Sequence, residues 1–189
     1  MYRSEALTNE EYETLIKTIR EGYADSTGTL KPNSQVADIL VLEANLGRRI
    51  GDIVKLNLSD FKKVSGSWNI EIVEKKTKKR HLFPVSTQVH DFIEEVAGRC
   101  YADGDRLFSI GAAAVWKVMR KATAHLGWTD VSTHSLRKKA GLDLLDATNG
   151  DYAAVCTYYG HSSLKTTTEY LRRSPNYMRE AVEKVSNIV

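Results

Sequence analysis

The sequence predicts an α+β domain, mostly α-helical, with one small three-stranded antiparallel sheet near residues 58–85. Two observations carry this. Apolar residues recur at helical spacing along most of the chain. The period switches to strict alternation at Trp68, Ile70 and Ile72, with Asn69 and Glu71 between them. No segment repeats at the 20–50-residue period of a solenoid. A chain of 189 residues is long enough to bury a core without disulfide or metal staples.

Taken in order, Thr8-Asn9-Glu10-Glu11 is a capping box that opens a helix running to about Arg20. Lys31-Pro32-Asn33-Ser34 punctuates the chain. From Val36 to Leu46 the residues are apolar almost all round, which predicts a helix buried on most sides, and Gly47 stops it. A short helix is expected over residues 49–56. A strand around 60–64, a turn at Val64-Ser65-Gly66-Ser67, the alternating strand, a turn at Lys76-Thr77-Lys78-Lys79 and a strand over 81–85 make the sheet. Helical patterns then return near 87–98, 111–126, 134–146, 152–158, 164–171 and 176–188. The last follows Ser174-Pro175, a cap and first-turn proline, and Met178, Ala181, Val182, Val185 and Ile188 line one face. That face either packs on its own domain or docks on a neighbouring protomer.

Composition excludes several classes. The 42% hydrophobic and 27% charged content is that of a soluble globular protein, and no run of 18 apolar residues offers a membrane span. The first residues lack the apolar core of a signal peptide, so a cytoplasmic protein is expected. The two cysteines, Cys100 and Cys156, form no Cys-x-x-Cys motif and read as reduced, packed thiols. A net charge of +3 is too small to name a partner. Its distribution says more: Lys75-Lys76-Thr77-Lys78-Lys79-Arg80-His81, Arg48-Arg49, Arg137-Lys138-Lys139 and Arg172-Arg173 make a polyanion plausible. No phosphate-binding loop, His-Glu-x-x-His or Gly-x-Ser-x-Gly is present, so nothing suggests nucleotide hydrolysis, a zinc protease or a hydrolase elbow.

Four local groups carry reactive side chains. Arg49 follows a buried helix, and Asp52 lies three residues on, where it can orient the arginine on a helical face. Lys76 stands on the basic turn. His134 and Arg137 lie at i, i+3 on one helix, and both can donate to a phosphate. His161 in Gly160-His161-Ser162-Ser163 is expected to begin a helix, whose N–H groups favour anions, and Tyr170 follows nine residues later. Alone, each has an ordinary explanation: an Arg–Asp pair, a solvated lysine, a chance His-x-x-Arg, a packed aromatic.

In order, Arg49, Lys76, His134, Arg137, His161 and Tyr170 resemble the catalytic set of the tyrosine recombinases, the phage-integrase family. Leu46-Gly47-Arg48-Arg49-Ile50-Gly51-Asp52-Ile53 is similar to the first arginine box, Thr133-His134-Ser135-Leu136-Arg137 to the His-x-x-Arg box, and Gly160-His161 through Thr166-Thr167-Thr168-Glu169-Tyr170 to the closing segment. Lys138 stands where the family often has His.

The resemblance covers nearly the whole chain. It implies the family's DNA breaking-rejoining catalytic fold over residues 1–173, a C-terminal helical tail over 174–189, and no N-terminal DNA-clamping domain within this chain. It implies site-specific recombination through a 3′-phosphotyrosyl intermediate, without metal, ATP or other cofactor. Tyr170 would be the nucleophile, Arg49, Arg137 and His161 transition-state donors, His134 the proton handler and Lys76 the acid for the leaving 5′-oxygen. Lys75, Lys78, Lys79, Arg80, Lys138 and Lys139 would contact double-stranded DNA, Asp52 would support Arg49, and four protomers would assemble on DNA. A type IB topoisomerase-like enzyme and a non-cleaving DNA-binding regulator are the alternatives.

Overall fold

The computed structural model describes residues 5–73 and 80–171. The expected lysine turn and the helix expected over 176–188 lie outside them. The chain divides into two compact units, Met1–Ala140 and Gly141–Val189.

In the first unit, α1 (Asn9–Glu21) starts on the expected capping box. Thr8 Oγ1 accepts the Glu11 N–H at 3.2 Å and Glu11 Oε2 accepts the Thr8 N–H at 2.8 Å. Leu15 and Ile19 on its inner face are fully buried. A hairpin of β1 (Tyr23–Asp25) and β2 (Gly28–Leu30) follows, which the sequence reading lacks. Strands of three residues leave no alternation to detect. The hairpin is fixed instead by Asp25, which accepts the Thr27 N–H at 2.8 Å, and by the Tyr23 ring, stacked on His125 at 3.8 Å.

Helix α2 (Ser34–Leu46) is capped by Asn33, whose side chain accepts the Val36 N–H at 2.9 Å. Val36, Ile39, Leu40, Leu42 and Leu46 are all buried, as an all-round apolar pattern requires. Asp38 is fully buried in the same helix because Arg20 at 2.9 Å, Tyr101 at 2.8 Å and Arg99 all donate to it. Helix α3 (Ile50–Ile53) is shorter than the expected 49–56. The chain leaves the helix because its next carbonyls are used elsewhere: Leu56 accepts the Leu107 N–H at 3.0 Å and Val54 accepts Arg106 at 3.0 Å.

A short 3-10 turn (Leu58–Asp60) leads into the antiparallel sheet β3 (Phe61–Val64), β4 (Ser67–Val73) and β5 (Arg80–Pro84), in that order. Phe61 pairs with Ile70 and Ile70 with Phe83. Ser65 and Gly66 both have positive φ, 50° and 85°, the backbone that a tight two-residue hairpin needs. Ile70 is fully buried, and its same-face neighbours Trp68 and Ile72 pack against the core. Helices α4 (Thr87–Gly98), α5 (Ala112–His125) and the start of α6 (Thr133–Ala147) complete this core with Ile93, Met119 and Leu136, joined by Phe108 from the segment between α4 and α5.

The second unit holds α7 (Tyr152–Tyr159), capped by Asp151, and α8 (Leu164–Tyr170), capped by Ser163. Its small core is Leu145, Val155, Tyr159 and Leu171. Gly141 is fitted against it. A Cβ there would stand 2.7 Å from Leu171 Cδ2 and 3.1 Å from the Tyr159 hydroxyl. Gly141→Ala is therefore expected to lower stability by about 1–3 kcal/mol through overpacking, read as a lowered thermal midpoint. An unchanged midpoint would show that Leu171 and Tyr159 yield freely. Among the described residues no helix is long and apolar enough to cross a membrane.

Candidate active site

The arginine doublet is split by the end of α2. Gly47 takes the left-handed conformation, φ 60°, ψ 20°, and its N–H closes the helix on the Glu43 carbonyl at 2.9 Å. Arg48 then turns inward: it is 5% exposed, with its guanidinium 3.5 Å over the Phe83 ring on β5. Arg49 turns outward, exposed, as the N-cap of α3. Its link to Asp52 runs through the backbone, the Asp52 N–H donating to the Arg49 carbonyl at 2.7 Å, and no ion pair joins their side chains. The orientation of Arg49 thus comes from the turn.

Helix α6 supplies the next pair. The Ser135 hydroxyl accepts the Ser132 N–H at 3.1 Å at its start. His134 is exposed, and Arg137, one turn later, is 5% exposed. The two lie at i, i+3 as expected but reach different depths. The charge of Arg137 acts on Glu43, an acidic residue within the apolar run of α2. Glu43 is 1% exposed, and its carboxyl also accepts the Ile50 N–H, the first of α3. Burial pushes Glu43 up to about 9, with Arg137 and the Ile50 N–H pulling the other way. The signal for Glu43 was present in the sequence, as one of two acidic residues, with Asp38, inside a segment apolar almost all round.

The expected DNA-contacting residues separate. Lys139 is a correction: it is 7% exposed, donates to Asn9 Oδ1 at 2.6 Å and lies 5.6 Å over the Tyr12 ring, so it holds α6 to α1 and presents no ammonium to a phosphate. Lys138 is half-buried. Arg80 is exposed on β5 and shares Glu71, at 3.4 Å, with Lys62 at 2.5 Å. The hydrogen bond from Lys62 holds Glu71 below the usual carboxylate range. Lys75, Lys76, Lys78 and Lys79 lie outside the described residues.

In the second unit, His161 does not begin a helix. Gly160 ends α7 in the left-handed conformation, α8 starts at Leu164, and His161 lies in the loop between them. Its N–H is used by the Cys156 carbonyl at 3.0 Å, so no anion site arises there from a helix terminus. The ring matters instead. His161 Nδ1 is 2.9 Å from the Oγ1 of fully buried Thr167, which fixes its orientation. It meets Tyr170 edge to face, with ring centroids 5.7 Å apart and planes at 80°. Tyr159 lies against both, at 5.4 Å from His161 and 6.0 Å from Tyr170. Spacing of nine residues thus places imidazole and phenol together in one unit.

Among the described residues one group, His90, Asp91 and Glu94 on α4, has ligand atoms close enough for a metal ion. It contains none of the expected catalytic residues.

Comparison with known proteins speaks for the fold and the family. The probable integrase/recombinase YoeC of Bacillus subtilis is 24% identical over 153 residues, covering 75% of this chain and 80% of that protein. The tyrosine recombinase XerA of Pyrococcus furiosus is 23% identical over 192 residues, covering 96% of this chain and 62% of that one. The crystal structure of XerA recombinase superposes with a TM-score of 0.71 at 19% identity, covering 99% of this chain and 67% of that one. XerH recombinase bound to its difH substrate gives 0.68 at 19% identity, over 99% of this chain and 56% of that chain. At these identities the superpositions speak for the fold, that of tyrosine recombinase catalytic domains. The chain spans only part of the longer relatives. The model of the phage integrase family matches residues 5–176, which takes in the arginine turn, the His-x-x-Arg helix and the His161–Tyr170 segment. The chain belongs to the phage integrase family.

Proposed function

We propose that this chain is the catalytic domain of a site-specific DNA recombinase that cuts and rejoins strands through a 3′-phosphotyrosyl intermediate. The observation that carries the reading is the edge-to-face pair of His161 and Tyr170, held by Thr167 and Tyr159 in a chain that also presents Arg49 and Arg137. A packed tyrosine alone does not call for a fixed imidazole against its edge.

The chemistry balances without an external energy source. The Tyr170 oxygen attacks phosphorus, the bond from phosphorus to the 5′-oxygen breaks, and the new phosphotyrosyl ester conserves the energy of the old one. The phenol proton leaves to His134, and the 5′-oxygen takes a proton from Lys76. Charge gathers on the non-bridging oxygens, where fixed donors act most strongly. Arg49, Arg137 and His161 are those donors. The partner is double-stranded DNA. A tetrameric assembly on DNA and a cytoplasmic location belong to this proposal.

The test is incubation with nicked suicide duplexes carrying candidate attachment sites, read as a covalent adduct on denaturing gels. An adduct supports strand transfer, and none on any substrate contradicts it. Relaxation of arbitrary supercoiled plasmid without site preference would point to topoisomerase chemistry instead.

The role of Lys76 has its own check. A general acid becomes dispensable when the leaving group needs no proton. Lys76→Ala is expected to be slow on ordinary DNA and restored on DNA with a 5′-bridging sulfur. An equal, unrestored defect would remove the role, and a stronger effect from Lys79→Ala would transfer it.

A further inference from the structure

Glu43 is a buried acid that the proposed chemistry does not use. It stands on the last turn of α2, 1% exposed, and its Oε2 has no hydrogen-bond partner among the described residues. Its carboxyl accepts the Ile50 N–H from α3 and faces the Arg137 guanidinium from α6. Helix α3 needs this acceptor, because its N-cap residue, Arg49, makes no side-chain cap. One carboxyl thus holds the first N–H of the turn that carries Arg49 and lies within electrostatic reach of Arg137.

We propose that Glu43 is a positioning residue for the two phosphate-binding arginines, tying the Arg49 turn to Arg137 while leaving the charge of Arg137 to the DNA phosphate. The proposal rests on the strand-transfer reading above.

Ionisation state decides whether both tasks are compatible. An ionised Glu43 would pair with Arg137 and compete with the phosphate for it. A protonated Glu43 still accepts the Ile50 N–H but offers no counter-charge. Burial supplies that state, since it moves the group from 4.5 up to about 9. Arg137 from α6 and the Ile50 N–H from α3 are the described groups that oppose this shift. An approaching phosphate adds negative charge and holds the proton more firmly. The linkage sign follows. The folded group binds its proton more tightly than the unfolded one. Its contribution to stability is complete below about pH 4.5 and is lost as pH rises towards about 9.

Two measurements test this on the whole chain. In the first, the Arg137 Nε–H and Ile50 N–H resonances are followed against pH by NMR in wild type and Glu43→Gln, without DNA. Both resonances are expected to move together through one midpoint near pH 9 in wild type, and neither to do so in the variant, which titrates no carboxyl there. In the second, adduct formation on the suicide duplex is timed against pH. Near neutral pH, Glu43→Gln is expected within about threefold of wild type, whereas Glu43→Ala, which strands the Ile50 N–H, is slower by about tenfold or more well below its melting temperature. Above pH 9 wild type is expected to lose rate relative to Glu43→Gln.

Separate midpoints for the two resonances, or the same titration in Glu43→Gln, overturn the link. Equal rates for Glu43→Ala and wild type overturn the positioning role. If wild type forms no adduct at all, the strand-transfer reading fails with it, and the resonances still decide whether Glu43 joins the two arginine elements.

Discussion

Tyr170→Phe is expected to abolish the covalent adduct while leaving the fold and DNA binding intact. The substitution removes one oxygen and keeps the ring that packs against His161 and Tyr159. The small core of the second unit depends on that ring and on Leu171 beside it, so circular dichroism and the thermal midpoint should not move. On the proposed reading the effect is the loss of the attacking oxygen, and Tyr159, which lies against Tyr170, is buried as a packing residue. A tyrosine hydroxyl ordinarily ionises near pH 10, about 3 units above neutral, so the reaction depends on nearby cations and a proton acceptor as well as on the oxygen. If the phenylalanine variant still yields an adduct, the nucleophile lies elsewhere.

The arginines carry the second large effect, and the structure separates them. Arg49→Ala is expected to slow cleavage by about 10²–10³-fold, the usual cost of losing one fixed transition-state donor, roughly 2.7–4 kcal/mol. Because Arg49 is exposed and its orientation comes from the backbone turn, its melting temperature should stay near that of wild type. Arg137→Ala is expected to slow cleavage by at least as much, and also to melt earlier. It is 5% exposed, so truncation leaves a cavity. Arg137→Lys should recover the melt better than the rate, since a single ammonium cannot reproduce a bidentate fork on a phosphate. Rates measured on one suicide substrate, with melts on the same preparations, check both statements. Equal melts for the two alanine variants would contradict the different depths of the two arginines.

Much of this architecture was legible in the residues. The capping box at Thr8, the asparagine before α2, the glycine at its end and the alternation at Trp68–Ile72 are local devices, and each appears where its chemistry puts it. The proposed site was read as an ordered set of residue types that resembles the family's catalytic set.

What stayed hidden depends on which way a side chain faces after packing. Arg48 and Arg49 are identical neighbours in sequence. Only the left-handed turn at Gly47 and the ring of Phe83 decide that one is buried and the other presented. Lys139 resembles Lys138 in a basic run, yet the approach of α1 makes it an internal hydrogen-bond donor. His161 looked like a helix start because glycine and serines surround it. The serine that caps α8 is Ser163, two residues further on. The β1–β2 hairpin is held by a turn carboxylate and by stacking on a residue about a hundred positions away, which no local pattern records.

The most direct measurement is the identity of the amino acid that carries the DNA. Wild-type protein trapped on a suicide duplex, digested with protease and nuclease, is analysed by mass spectrometry for the peptide bearing a nucleotide. The account predicts a 3′-phosphate ester on Tyr170 in the peptide that follows Lys165. A nucleotide on any other residue, or a trapped complex with no covalent link, would contradict it.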